Sequence, residues 1–389
     1  METFKVKKST LIVNLFVAMV FMQNPPWPFW DYWFYFLFFC FVISSYLLFD
    51  RIATHRPINK DLFIFTCILL LFFVVFQSFQ SFRTSSLVSI IIFYQLFFLT
   101  VEEKYSIINK ITTILAIIIA VSLPMWLINQ YVFELPFGYE MHYGDWKGKN
   151  QTLILENYYF FVDAQLEHII RFYSVFDEPG TLGTLSAFLL FANRYNFRDK
   201  RILIILIGSL FTFSLAFFIL TAVGLFLFYI RTLKLILISS ITITVIVVST
   251  ITVFRHNPTF KGSVLNRITT VESALGERTS EETTAYFNNY ISSMQSILGK
   301  GTGFFNKNPD LLFGNGFKFF LIENGFLGLL LVIGMYLFIC GKANYLVVSY
   351  LILFLLSFLQ RPFLFTPYQL IVFATGVTTL KYLPALGKK

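Results

Sequence analysis

Charge is scarce in this chain, and what there is avoids the long apolar runs. Only 13% of the 389 residues are Asp, Glu, Lys or Arg, against 57% hydrophobic, which is too little polar surface for a water-soluble protein of this size. A mean hydropathy of +0.71 puts the chain in the integral membrane class. The apolar runs have helix-spanning length rather than the alternating pattern of about ten residues that a membrane β-barrel needs. Cysteine is nearly absent: Cys40, Cys67 and Cys340 fall inside apolar runs, with no CxxC or Cys/His spacing, which excludes a disulfide framework and a cysteine metal site. No carboxylates cluster at metal-ligand spacing, so any chemistry is expected to proceed without metal or cofactor. Internal repeats, low-complexity tracts and a soluble domain are also lacking. Ionisable side chains are nearly absent from the interiors of the runs, which argues against a proton relay or an ion-coupled transport path.

What the chain does have is phenylalanine, 51 of them, and a net charge of +9. Phe suits a lipid-facing surface, and the positive charge needs no nucleic acid partner, because Lys and Arg gather on cytoplasmic loops of membrane proteins. The fold class expected is an all-α polytopic membrane protein, one integral membrane domain over 1–389. About twelve spans fall near 9–23, 30–49, 62–80, 86–100, 106–128, 180–194, 201–213, 215–230, 233–253, 318–340, 343–359 and 367–382. The stretch 201–230 is too long for one crossing of a roughly 30 Å core and short for two. Splitting it at Phe213-Ser214 keeps the downstream charges consistent. The basic loops then alternate: Lys5, Lys7 and Lys8; Arg51, Arg56 and Lys60; Lys104; Arg194, Arg198, Lys200 and Arg201; Arg231 and Lys234; Lys342; Lys381, Lys388 and Lys389. By the positive-inside rule both termini are cytoplasmic. METFKVKK and the apolar run after it lack a small-residue cleavage site before Asn24-Pro25-Pro26, so they read as a retained first span.

Two long connections, 129–179 and 254–317, fall on the outer side. Loops of that length in a compact protein are functional or disordered, and both are expected to contain amphipathic helices. Ser263 can cap one that puts Val264, Leu265, Ile268, Val271 and Leu275 on a single face. A second starts at a Thr279-x-x-Glu282 capping box, carries Phe287, Tyr290, Ile291, Met294 and Leu298, and stops at Gly299.

The charge that needs explaining lies at this outer boundary. The first loop carries His168, Arg171, Asp177 and Glu178. The second carries Arg255, His256, Lys261, Arg267, Glu272 and Arg278, and Arg361 sits between the last two spans. A guanidinium at a head-group boundary suits phosphate or pyrophosphate, whose oxygens it binds in a bidentate manner. Arg278 also stands at a helix start, where free N–H groups favour an anion. Each has a plainer role open to it: arginine snorkels to head groups, Asp177-Glu178 before Pro179 makes an acidic first turn, and Glu323 can partner a helix end.

The order of these elements carries more than any one of them. RFYSVFDEPGTLG, then GERTSEET followed by LGKGTGFF, then LIENGFLG resembles the bacterial O-antigen and capsule repeat-unit polymerase (Wzy-type) and O-antigen ligase superfamily. Arg171, Phe176, Glu178 and Pro179 match its R-x-x-G-x-F-x-E-P pattern, with Ser174 and Gly180 in place of Gly and Asn. Arg278 matches the Arg ahead of the G-x-G element at Gly299 to Gly303. Glu323, Gly325 and Gly328 match E-x-G-x-x-G. The His-Asn pair usual in ligases is replaced by Asn315-Gly316, which favours the polymerase branch.

The resemblance implies a GT-C-like helical bundle of the bacterial inner membrane whose two external loops form the active site. It implies glycosyl transfer from an undecaprenyl-pyrophosphate-linked glycan to a hydroxyl of a lipid-linked repeat unit, with membrane lipid, a chain-length regulator and a flippase as pathway partners. Arg171 and Arg278 would hold pyrophosphate, with Arg361, Arg267, Arg255, His256 and Glu323 as further binding groups. Glu178 would be the base, with Asp177 or His256 in reserve.

Overall fold

The computed structural model describes residues 2–22, 33–54, 60–77, 84–143, 153–164, 170–230, 252, 281–308, 311, 316–361 and 363–386. Arg255, His256, Arg267 and Arg278 lie outside these, as do His168, the helix capped by Ser263 and nearly all of the span expected at 233–253.

A helix stands at every other expected span. These are α1 (Glu2–Phe21), α2 (Trp33–Thr54), α3 (Lys60–Leu70, continued by a π-helical turn Leu71–Phe76), α4 (Thr84–Gln95), α5 (Val101–Tyr131), α6 (Pro179–Ala192), α7 (Lys200–Leu210) and α8 (Leu215–Tyr229). After the second long connection come α9 (Glu281–Ile291), α10 (Gln295–Leu298), α11 (Phe304–Lys307), α12 (Phe317–Cys340), α13 (Tyr345–Gln360) and α14 (Pro367–Leu386). The break placed at Phe213-Ser214 is present. Phe213 has φ 45°, and the Ser214 hydroxyl accepts from Phe217 N to cap α8.

The count of crossings needs correction. Among the described residues only three helices, Tyr35–Ala53, Val101–Tyr131 and Phe317–Cys340, are long and apolar enough to cross a membrane, and four more are apolar but shorter. For the shortest helices the reason is length. At 1.5 Å per residue, α6 with 14 residues and α7 with 11 reach roughly 16–21 Å, less than the hydrocarbon core. The 31-residue α5 begins at a complete capping box, with Thr100 and Glu103 each accepting the other's backbone N–H. It passes through Pro124 without ending.

The all-α expectation is also corrected. The first long connection holds no helix among its described residues. It forms a three-stranded antiparallel sheet, β1 (Tyr139–Tyr143), β2 (Leu153–Asn157) and β3 (Val162–Ala164), in the order β1-β2-β3. Tyr139 pairs with Asn157, and Leu155 with Ala164. The physical reason is a period of two: Met141, Leu155 and Val162 turn to one face and bury with Tyr173. In the second connection, the single amphipathic helix expected up to Gly299 is interrupted. Phe287 and Tyr290 are buried, whereas Met294 is 87% exposed. Hydroxyl bonds from Ser293 to Tyr290 O and from Ser296 to Ser293 O compete with the helical ladder there.

Helix ends collect into two polar regions. At one, Arg51 forks onto Glu103 at 2.7 and 2.8 Å, and Lys8 meets Asp50 at 2.8 Å. Arg201 caps its own helix through Asp199 and reaches Asn109 and Thr113 of α5. Arg194 donates to Leu380 O at 3.0 Å, and Lys381 to Cys340 O. These groups come from the basic loops that charge alternation put together. The sheet, Arg171, Asp177, Glu178, Arg361 and the glycine-rich 299–303 segment belong to the other set of helix ends.

A charged cluster at the mouth of α6

Arg171 to Glu178 is a coil that runs from the sheet into α6. Val162 N donates to Ser174 O at 2.7 Å, which ties β3 to it, and Phe172 N donates to Phe211 O at 3.1 Å, which ties it to the turn after α7. Phe172 and Phe176 are fully buried, so the apolar side chains pull the coil inward and leave its charges at the rim. Ser174, where the motif has Gly, takes φ 53°. Its buried hydroxyl pairs with Ser122 at 2.9 Å, a contact that compensates a backbone conformation glycine would adopt freely.

Arg171 donates from Nε to Thr212 O at 2.9 Å and from Nη2 to Phe213 O at 3.2 Å. These carbonyls lie just past the end of α7, so the guanidinium stabilises the turn into α8. Glu178 is the N-cap residue of α6, with Pro179 next. Its carboxylate pairs with Arg361, whose Nη1 also donates to Thr181 Oγ1 at 2.8 Å. Arg361 is 5% exposed, its Nε is buried without a hydrogen-bond partner, and its guanidinium carbon lies 5.6 Å from the Phe363 ring centre. A Cβ on Gly180 would collide with Arg361 Nη2.

Asp177 stands beside this pair. Burial pushes its carboxyl up to about 6, the Glu178 charge adds to that, and Arg361 opposes it. A carboxyl whose charge is poorly solvated accepts a proton more readily than an ordinary aspartate. The pairing with Arg361 thus distinguishes Glu178 from its neighbour Asp177, whose carboxyl is raised by burial. Arg361 and the raised Asp177 are the parts that spacing alone understated, because the pair spans more than 180 residues of sequence.

Glu323 and the glycine motifs form a second assembly. Gly325 has φ 65° and ψ −177° inside α12 and breaks the helix there. Lys300 N donates to Ile322 O at 2.7 Å, Gly301 N to Glu323 O at 2.9 Å and Gly303 N to the Glu323 carboxylate at 3.1 Å. A Cβ on Gly299, at φ 86°, would strike Glu323 O, and one on Gly325 would lie 2.5 Å from Gly299 N. The two glycine elements therefore lock backbone against backbone, and Glu323 is 7% exposed within that lock. The Tyr290 hydroxyl donates to Leu321 O at 3.1 Å and holds α9 against it. Whether Arg278 faces Arg171 lies outside the described residues. Compared with protein-family models, curated proteins and solved structures, the chain matches none.

Proposed function

We propose that this chain is a membrane glycosyltransferase that polymerises lipid-linked oligosaccharide repeat units for a surface polysaccharide. In this reading the bundle lies in the bacterial inner membrane with both termini cytoplasmic, and the α6 mouth faces outward. The observation that supports it most is the cluster itself: Asp177, raised to about 6, beside buried Arg361 and the Glu178 it pairs with, at the rim held by Arg171.

The transfer needs a proton taken from the acceptor hydroxyl and compensation for charge growing on the leaving undecaprenyl pyrophosphate. Asp177 takes the proton, and Arg361 and Arg171 supply the positive potential. Glu178 orients Arg361 rather than acting as the base. The donor is already activated, so positioning and electrostatics suffice.

The test uses Asp177→Asn in cells that depend on the chain for long surface glycan, at matched protein level. The expected result is exported single repeat units without polymer. Normal chain length would overturn the assignment. Repeat units trapped inside would indicate a flippase, and long polymer left on its lipid carrier would indicate a ligase.

A further inference from the structure

A cavity of about 1010 Å³ opens between the end of α5, the 132–137 segment after it and the small sheet. Its wall mixes rings with hydrogen-bonding groups. Phe137 and Tyr158 meet edge to face at 6.2 Å, and Gln130, Glu134, Glu156 and Asp163 stand around them. The wall is held in shape before any ligand arrives. Leu135 N donates to Asn129 Oδ1 at 2.7 Å, the Tyr158 hydroxyl to Glu156 at 2.7 Å, and the Gln130 amide to Asp163. Tyr158 is stacked on Phe161 at 4.4 Å.

The lining excludes several occupants. It contains three carboxylates, and no lysine or arginine is among the described residues that form it, so a phosphate or an acidic sugar would be repelled. An acyl tail would strand the carboxylates and amides without partners. A metal ion does not fit either, because no group of three His, Cys, Asp or Glu among the described residues stands close enough to hold one. Many hydroxyls on a carbon frame do fit. Each hydroxyl both donates and accepts, as side-chain amides do, while carboxylates accept and ring faces cover C–H surface.

We propose that this cavity is a saccharide subsite that takes neutral or amine-bearing sugars and refuses acidic ones. The inference deepens the glycosyl-transfer reading, on which it rests, by naming the charge class of the sugar. The location suits it, since β3 carries Asp163 in the wall and bonds directly to the coil that leads to Asp177. Burial, with the charge of Glu156, pushes the Asp163 carboxyl up to about 7. A group near half protonation can donate to a sugar oxygen as well as accept from a hydroxyl.

The experiment exposes the full chain in lipid nanodiscs to an array of neutral, amino and uronic-acid oligosaccharides, with oligolysine as a cationic control. Neutral or amino sugars are expected to be captured, at least tenfold more weakly by Phe137→Ala and Glu156→Gln and unchanged by Arg201→Ala. Phe137 is 45% exposed, so its truncation leaves folding intact, which a thermal melt checks. Capture of no sugar, capture of acidic sugars alone, capture of oligolysine in place of sugars, or wild-type binding by both cavity variants would each overturn the proposal. If the cavity variants bind normally while Asp177→Asn abolishes polymer growth, the subsite falls and the transfer reading stands. If Phe137→Ala loses sugar while Asp177→Asn still makes polymer, the transfer reading falls and the sugar site stands.

Discussion

The two polar ends of the bundle use the same residue types to opposite effect. At the basic end Asp199 caps α7 and bonds to Arg201, which holds its carboxyl below the usual range. At the other end Asp177 and Asp163 are raised to about 6 and about 7, in both cases chiefly by burial. What separates them is how much protein surrounds the carboxyl and whether a guanidinium bonds to it directly. A bonded guanidinium favours the charged form and so stabilises the fold, whereas burial without one leaves a group poised to take up a proton. The basic end therefore reads as a structural girdle and the α6 mouth as a place where charge is kept available.

The largest effect expected from this contrast is on activity. Arg361→Ala should lower polymer growth by roughly a hundredfold or more, the usual cost of removing one positioned donor to developing charge. Arg201→Ala should leave growth within about twofold, because its half-exposed pair contributes no more than about 1 kcal/mol. Glycan length on gels, at matched protein level, measures both. Equal losses in the two variants would erase the distinction between the ends.

Next come the glycines. Gly299→Ala and Gly325→Ala combine a positive φ with a collision against backbone, and each should cost about 2–4 kcal/mol. Gly341, at the basic end, has φ 48° and ψ −132° but no neighbour closer than 3.9 Å, so Gly341→Ala should cost the backbone strain alone, about 1–3 kcal/mol. Thermal unfolding in one detergent ranks them. A larger drop at Gly341 than at Gly325 would mean that the lock between 299–303 and the break in α12 is not what the glycines serve.

The smallest effect is on the pH dependence of stability. Asp163 and Asp177 have folded pKa values above the ordinary aspartate value of 3.8, so the folded state binds more protons than the unfolded one between those limits. Stability should therefore rise as pH falls from about 8 to about 5. Asp199 behaves the other way. Its depressed pKa contributes stability above the unfolded value, and that is lost only as pH falls further, through the folded pKa. The double variant Asp163→Asn, Asp177→Asn should flatten the slope between pH 8 and 5. An unchanged slope would show that these carboxyls are not desolvated.

Much of this is legible in the chain itself. Apolar runs bounded by charge located the helices, and the alternation of Lys and Arg sorted their ends, since hydropathy and loop charge are local properties. The break before Ser214 was legible only through the loop charges downstream; the capping hydroxyl that makes it is a feature of the structure. The sheet was not, because strands of three to five residues in a long polar connection leave only a short period of two, and it is Tyr173, from a different segment, that completes their buried face. The glycine motifs could be read as motifs but not as a lock, because their meaning lies in which backbone stands opposite.

Sequence by itself determined that this chain is built of apolar helices with polar ends, because burial of hydrophobic length is decided residue by residue. Only the tertiary structure decided what the charges at those ends do. It set Arg361 on Gly180 and against Glu178, and it buried Asp177 beside that pair, which raises its carboxyl. Ionisation depends on distance and on the surrounding dielectric, and neither is written in the order of residues.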